Sequence, residues 1–87
     1  MSVIKVEFTV EPFVEGSPGE HVTRAIAAVE SLGVVVDVGP FGSVCTVAAD
    51  RLGRVLDELT SAAYAHGATH VIIDTAVVGS TAPGAEG

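Results

Sequence analysis

The chain has no tryptophan, one cysteine and only four basic residues, and each shortage removes a class of function. A single thiol, Cys45, makes no internal disulfide and gives no metal framework. Four Lys and Arg set against eleven Asp and Glu leave no basic stripe to displace counterions from phosphates. That excludes a general nucleic-acid binder and disfavours an anionic membrane surface. No apolar run approaches the ~20 residues of a membrane helix. The first residues alternate polar and apolar, which reads as a strand and not as a signal peptide. A soluble, cytoplasmic protein is expected.

Aromatic residues are also scarce, three Phe and one Tyr, so the hydrophobic fraction of 48% rests largely on Ala and Val. A chain of 87 residues is one domain near the small end of what folds alone. Such a core is thin, and part of the apolar surface is expected to be buried by another subunit. The net charge of −7 suits a cationic partner, and it also serves plain solubility.

What is present is an ordered series of elements. Ile4, Val6, Phe8 and Val10 alternate with Lys5, Glu7, Thr9 and Glu11, a strand with one apolar and one polar face. Pro12 cannot donate to a ladder and should end it. Ser17-Pro18-Gly19-Glu20 reads as an N-cap, a first-position Pro and a Glu at the third position. Val22, Ala25, Ile26, Val29 and Leu32 then form a helical stripe that Gly33 closes. Val34 to Val38 reads as a second strand, Gly39 to Ser43 as a turn and Val44 to Ala48 as a third strand. Asp50 is placed to cap a second helix whose stripe is Leu52, Val55, Leu56, Leu59 and Ala63. Gly67 closes that helix, and Val71 to Val78 makes a fourth strand. Residues 1–78 are thus the domain, and 79–87, small, polar and Gly/Pro-containing, a flexible tail.

The order βαββαβ predicts an α+β, ferredoxin-like sandwich, an antiparallel sheet in the order 4-1-3-2 with both helices on one face. That topology brings Glu11, Phe13, Glu15, Phe41, Ser43, His66 and His70 to one end. Lys5, Glu7, Thr9 and Glu11 take the sheet face away from the helices, and Asp37, Asp74, Val35 and Ile72 should join them. A mixed apolar and acidic face is expected to be covered, by another sheet in an oligomer or by a ligand.

No catalytic constellation emerges. His21, His66 and His70 do not converge by spacing, and each reads as a surface His near a helix end; no metal site is expected. Cys45, inside a strand, reads as a buried and unreactive thiol. Ser43 has no base partner and no nucleophile elbow. Glu7 and Glu11 are roughly 13 Å apart along one strand, too far for a coupled acid pair. Gly39-Pro40-Phe41-Gly42-Ser43 lacks the Lys of a phosphate loop. Two rings, Phe13 and Phe41, beside several acceptors suit a cationic aromatic ligand, whereas the first helix's N-terminus suits a phosphate- or sulfate-like group. An enzyme is not expected, and no cofactor is called for.

Val6 to Phe13, then Glu15-Gly16-Ser17-Pro18-Gly19, then Val38-Gly39-Pro40-Phe41-Gly42-Ser43, together with Gly67-Ala68-Thr69-His70-Val71, resemble the thiamine-binding, YkoF-like family. The resemblance covers almost all of the chain except its tail. It implies a small ferredoxin-like domain that assembles through its sheets into dimers or tetramers, a dimer of dimers. It also implies non-catalytic binding of thiamine (vitamin B1) or its hydroxymethylpyrimidine part. Glu11, Phe13, Phe41, Gly42 and Ser43 fall on the family motifs and are the candidate ligand-binding residues; Ser43 stands where a Thr is common and keeps its hydroxyl. The alternative is a protein-interaction or regulatory assembly module without a small-molecule ligand.

Overall fold

The computed structural model of the chain describes residues 1–12, 19–40 and 42–80. The element order is β1 (Ser2–Glu11), α1 (Glu20–Glu30), β2 (Asp37–Val38), β3 (Ser43–Ala48), a 3₁₀ turn (Ala49–Arg51), α2 (Leu52–Ala65) and β4 (His70–Ser80). The sheet runs β2-β3-β1-β4, with every neighbouring pair antiparallel. This is the ferredoxin-like arrangement, the expected 4-1-3-2 order read from the other edge.

The period-two pattern of β1 decides which face is covered. Ile4, Val6, Phe8 and Val10 are buried, and they join Cys45 and Val47 of β3, Ala25 and Val29 of α1, and Val55, Leu59 and Ala63 of α2. Both helices therefore lie on one sheet face, and α1 packs on α2. The Arg51 guanidinium donates to the Leu32 carbonyl at 2.7 Å, tying the 3₁₀ turn to the end of the first helical passage.

Four local expectations change. Ser17 and Pro18 lie outside the described residues, and α1 begins at Glu20 with Gly19 as its N-cap. The Gly19 carbonyl accepts the Val22 and Thr23 amides at 3.0 and 3.1 Å, so backbone bonding puts the start two residues later than the capping pattern implied. Glu20 still stands at the positive end of the helix dipole. The second helix is likewise not capped by Asp50. That residue falls inside the 3₁₀ turn, and Arg51 is the N-cap of α2 without a side-chain bond.

The second strand shrinks to a two-residue ladder, Asp37 to Val44 and Val38 to Ser43. Val34 and Val36 are nonetheless buried while Val35 is 81% exposed, so the alternation holds where the ladder does not. Alternation is set by the core on one side, whereas a ladder needs a neighbour at every step. At the other edge β4 continues through Gly79 and Ser80, past the expected end at Val78, with a bulge opposite Val3 and Ile4. Residues 81–87 lie outside the described residues.

The helix ends follow their glycines. Gly33 and Gly67 have φ of 83° and 103°, the left-handed region that a side chain resists. After α2 the Gly67 amide reaches the Tyr64 carbonyl and the Ala68 amide the Ala63 carbonyl, a Schellman pair.

Leu59→Ala should cost about 2–5 kcal/mol in urea unfolding, because Leu59 is fully enclosed in the core. Val35→Ala should stay within about 0.5 kcal/mol, because that side chain packs on little. Equal losses for the two would contradict the placement of the core.

Candidate ligand groove

The polar half of β1 forms the centre of the open sheet face. Glu7 pairs with Val44 on one side and Asp74 on the other, and Val44 pairs in turn with Asp37. One row across four strands therefore reads Asp37, Val44, Glu7, Asp74, three carboxylates in register. The next row pairs Thr9 with Ile72, and the one beyond pairs Glu11 with His70. On the other side Lys5 stands between Thr46 and Ala76, its ammonium 3.9 Å from the Glu7 carboxylate. That exposed pair adds little stability, but it offsets part of the row's charge.

The Gly39–Gly42 turn rises at the edge of this face. The Gly39 amide donates to the Gly42 carbonyl at 2.7 Å. Between the turn and the strands lies an open groove of about 440 Å³, lined by Glu7, Thr9, Ile72 and Asp74 from β1 and β4 and by Pro40, Gly42 and Ser43 from the turn and β3. Its size is within the range of small-molecule sites. A Cβ on Gly42 would sit 3.1 Å from the Thr9 methyl and 3.2 Å from the Phe8 carbonyl, so the missing side chain keeps the groove clear beside Thr9.

Ser43 is only 5% exposed, and among the described residues nothing hydrogen-bonds to its hydroxyl. Ser43 pairs with Phe8 and stands two residues before Cys45, so its side chain faces the helix layer and it borders the groove through its backbone. Ile72, by contrast, is 57% exposed and supplies an apolar pad beside the carboxylates.

At the end of the groove the last residues of β1 are tied to the elements around them. The Glu11 carbonyl accepts the Thr69 amide at 2.8 Å and the Thr69 hydroxyl at 3.4 Å. The Glu11 carboxylate lies 3.9 Å from His70 Nδ1. The Glu11–Pro12 peptide bond is cis. His21 is not on the surface as its helix-end position suggested. It is 7% exposed, and its Nε2 lies 2.6 Å from the Pro12 carbonyl.

Of the five candidate residues, Gly42 and Ser43 line the groove. Glu11 does not; it stands on the same face one row beyond Thr9, roughly 7 Å along the strand. Phe13 and Phe41 lie outside the described residues. The lining adds Glu7, Thr9, Ile72 and Asp74, which belonged to the predicted open face but were not singled out. Their signal is the register that brings the two acids together, a property of pairing and not of either strand alone. Among the described residues no group of three His, Cys, Asp or Glu is placed to hold a metal ion.

Cys45 is buried on the helix side of β3, and desolvation pushes its thiol above the ordinary value of 9.0. The stabilisation tied to the protonated thiol is then complete below that value and is lost as pH rises through the higher folded-state value. Urea midpoints measured on either side of pH 9.0 should fall more steeply for the native chain than for Cys45→Ala. Parallel curves would remove the thiol from the alkaline response.

No protein-family model and no curated protein matches this chain. Solved structures do. A domain of unknown function, DUF77, from Bacillus cereus aligns with 23% identity and a TM-score of 0.65 over 98% of this chain and 88% of its own. A protein from Streptococcus pneumoniae aligns with 23% identity and a TM-score of 0.64, over 93% and 90%. A protein from Thermotoga maritima, provisionally named for thiamine biosynthesis or salvage, aligns with 23% identity and a TM-score of 0.65, over 94% and 92%. At this identity the likeness is one of fold. No described helix is long and apolar enough to cross a membrane.

Proposed function

We propose that this chain is a non-catalytic, cytoplasmic binding protein for thiamine or its hydroxymethylpyrimidine part, working as a sheet-paired homo-oligomer. The observation that carries the reading is the groove in which a pair of in-register carboxylates, Glu7 and Asp74, meets an apolar pad and the Gly42-Ser43 corner. A thiazolium is a permanent cation, and its attraction to the carboxylate row needs no proton transfer. An aminopyrimidine offers N–H donors to a carboxylate and ring nitrogens to a hydroxyl such as that of Thr9, with its ring face over Ile72 and Pro40. The sequence motifs and the thiamine-related name of the Thermotoga maritima structure support the same ligand class.

The assembly has its own support. β4 is an edge strand, and Thr75 to Gly79 carries no charge to block strand addition. Val77 and Val78 are exposed there. Antiparallel pairing of two such edges is self-complementary, as a two-fold dimer requires. The same edge favours the second reading, a protein-interaction or regulatory assembly module with no small ligand.

Calorimetric titration separates the two readings. Thiamine or hydroxymethylpyrimidine should bind the native chain, and Glu7→Gln or Asp74→Asn should weaken thiamine by about fivefold or more, the effect of one nearby charge at moderate screening. No heat and no thermal shift with either ligand at millimolar concentration contradicts the binding reading. For the assembly, sedimentation should show a dimer or tetramer that Val77→Lys with Val78→Lys drives towards monomer. A native monomer, or an oligomer indifferent to those lysines, removes β4 as the contact.

A further inference from the structure

We propose that His21 is the positioning residue for the Glu11 end of the groove, an inference that rests on the groove being the ligand site. The imidazole is buried in the first turn of α1 and holds two separate pieces of chain. A carbonyl only accepts hydrogen bonds, so the short contact to Pro12 requires the proton on Nε2. The adjoining Cε1–Nδ1 edge of the ring faces Gly19. A Cβ at residue 19 would lie 2.7 Å from both Cε1 and Nδ1 of His21, closer than atoms approach, so the ring occupies the space that a side chain there would need.

Pro12 and Gly19 are the two ends of the connection that leaves β1 and enters α1. One ring therefore bonds the chain where it departs from the sheet and packs against it where the helix begins. The Glu11 carbonyl, one residue earlier, is held by the amide and hydroxyl of Thr69. Two consecutive carbonyls, Glu11 and Pro12, are thus fixed from opposite sides, by the start of β4 and by α1. Fixing both restrains the backbone at the end of β1, and with it the point from which the Glu11 side chain leaves the strand beside the Thr9 row. A strand end held from both sides beside the groove loses less order when a ligand settles there than a free one.

The test compares His21→Phe, which keeps a ring but no donor, with His21→Gln, which keeps an N–H. Val29→Ala is the control, a loss of stability in the core away from Pro12. Two quantities are read: amide exchange at Thr69 by NMR, which needs no ligand, and thiamine affinity by calorimetry. His21→Phe should speed Thr69 exchange about tenfold beyond Val29→Ala at matched stability and weaken thiamine about fivefold, and His21→Gln should restore most of both. Thr69 exchange and affinity in His21→Phe equal to those of Val29→Ala would overturn the proposal and leave His21 a core filler. If the native chain binds no thiamine, the ligand reading fails, while Thr69 exchange still decides whether His21 holds this end. Should His21→Phe not fold, Gly19→Ala asks the same question by pressing a methyl on the ring, and wild-type exchange at Thr69 in that variant overturns the proposal.

Discussion

The fold and the candidate site both depend on the two-residue period of β1. This strand is central, paired on both sides, and its even residues from Ile4 to Val10 are covered by the helices. Its odd residues from Lys5 to Glu11 have no such choice and must face away. A shift of one residue in pairing would bury three charges and expose Phe8, so the register is strongly specified. Everything on the open face inherits its position from that register. The carboxylate pair, the Thr9-Ile72 step and the Glu11-His70 step are consequences of the same constraint.

The open face combines charge with apolar surface in a way that neither a solvated face nor a buried one requires. Three carboxylates share a row, and Lys5 contacts only one of them. Ile72 and Val35 are exposed among them. Repulsion within the row favours a bound cation or its local screening, and the exposed aliphatic groups favour a flat apolar partner. A heterocyclic cation satisfies both demands with one molecule. A second sheet would answer the apolar demand and leave the acids to find their own counter-charges. This difference in electrostatics is why the groove reads better as a ligand site, and the β4 edge better as the place where copies meet.

Much of this was legible in the sequence because alternation and helical stripes report burial directly. The strand order follows from short connections and right-handed crossovers, and the inward sets of β1, α1 and α2 follow from their periods. Cys45 as a buried thiol follows from its place in a strand. The less legible features depend on who bonds to whom. Asp50 has a capping side chain, yet the backbone there turns as a 3₁₀ segment and the helix starts beyond it. Val34 to Val38 has the pattern of a strand, but only its last two residues meet β3. His21 has the position of a surface residue and is buried instead, because the end of β1 offers it an acceptor and Gly19 offers it room. The pairing of Glu7 with Asp74 joins residues 67 positions apart in number, and only the register reveals it.

The central claim is that the groove on the open sheet face is where the ligand sits. Chemical-shift mapping with thiamine tests it residue by residue. The amides of Glu7, Thr9, Gly42, Ser43, Ile72 and Asp74 should move on titration while those of α1 and α2 beyond their first turns stay in place. Shifts confined to the helix layer, or no shifts at all, would contradict the account.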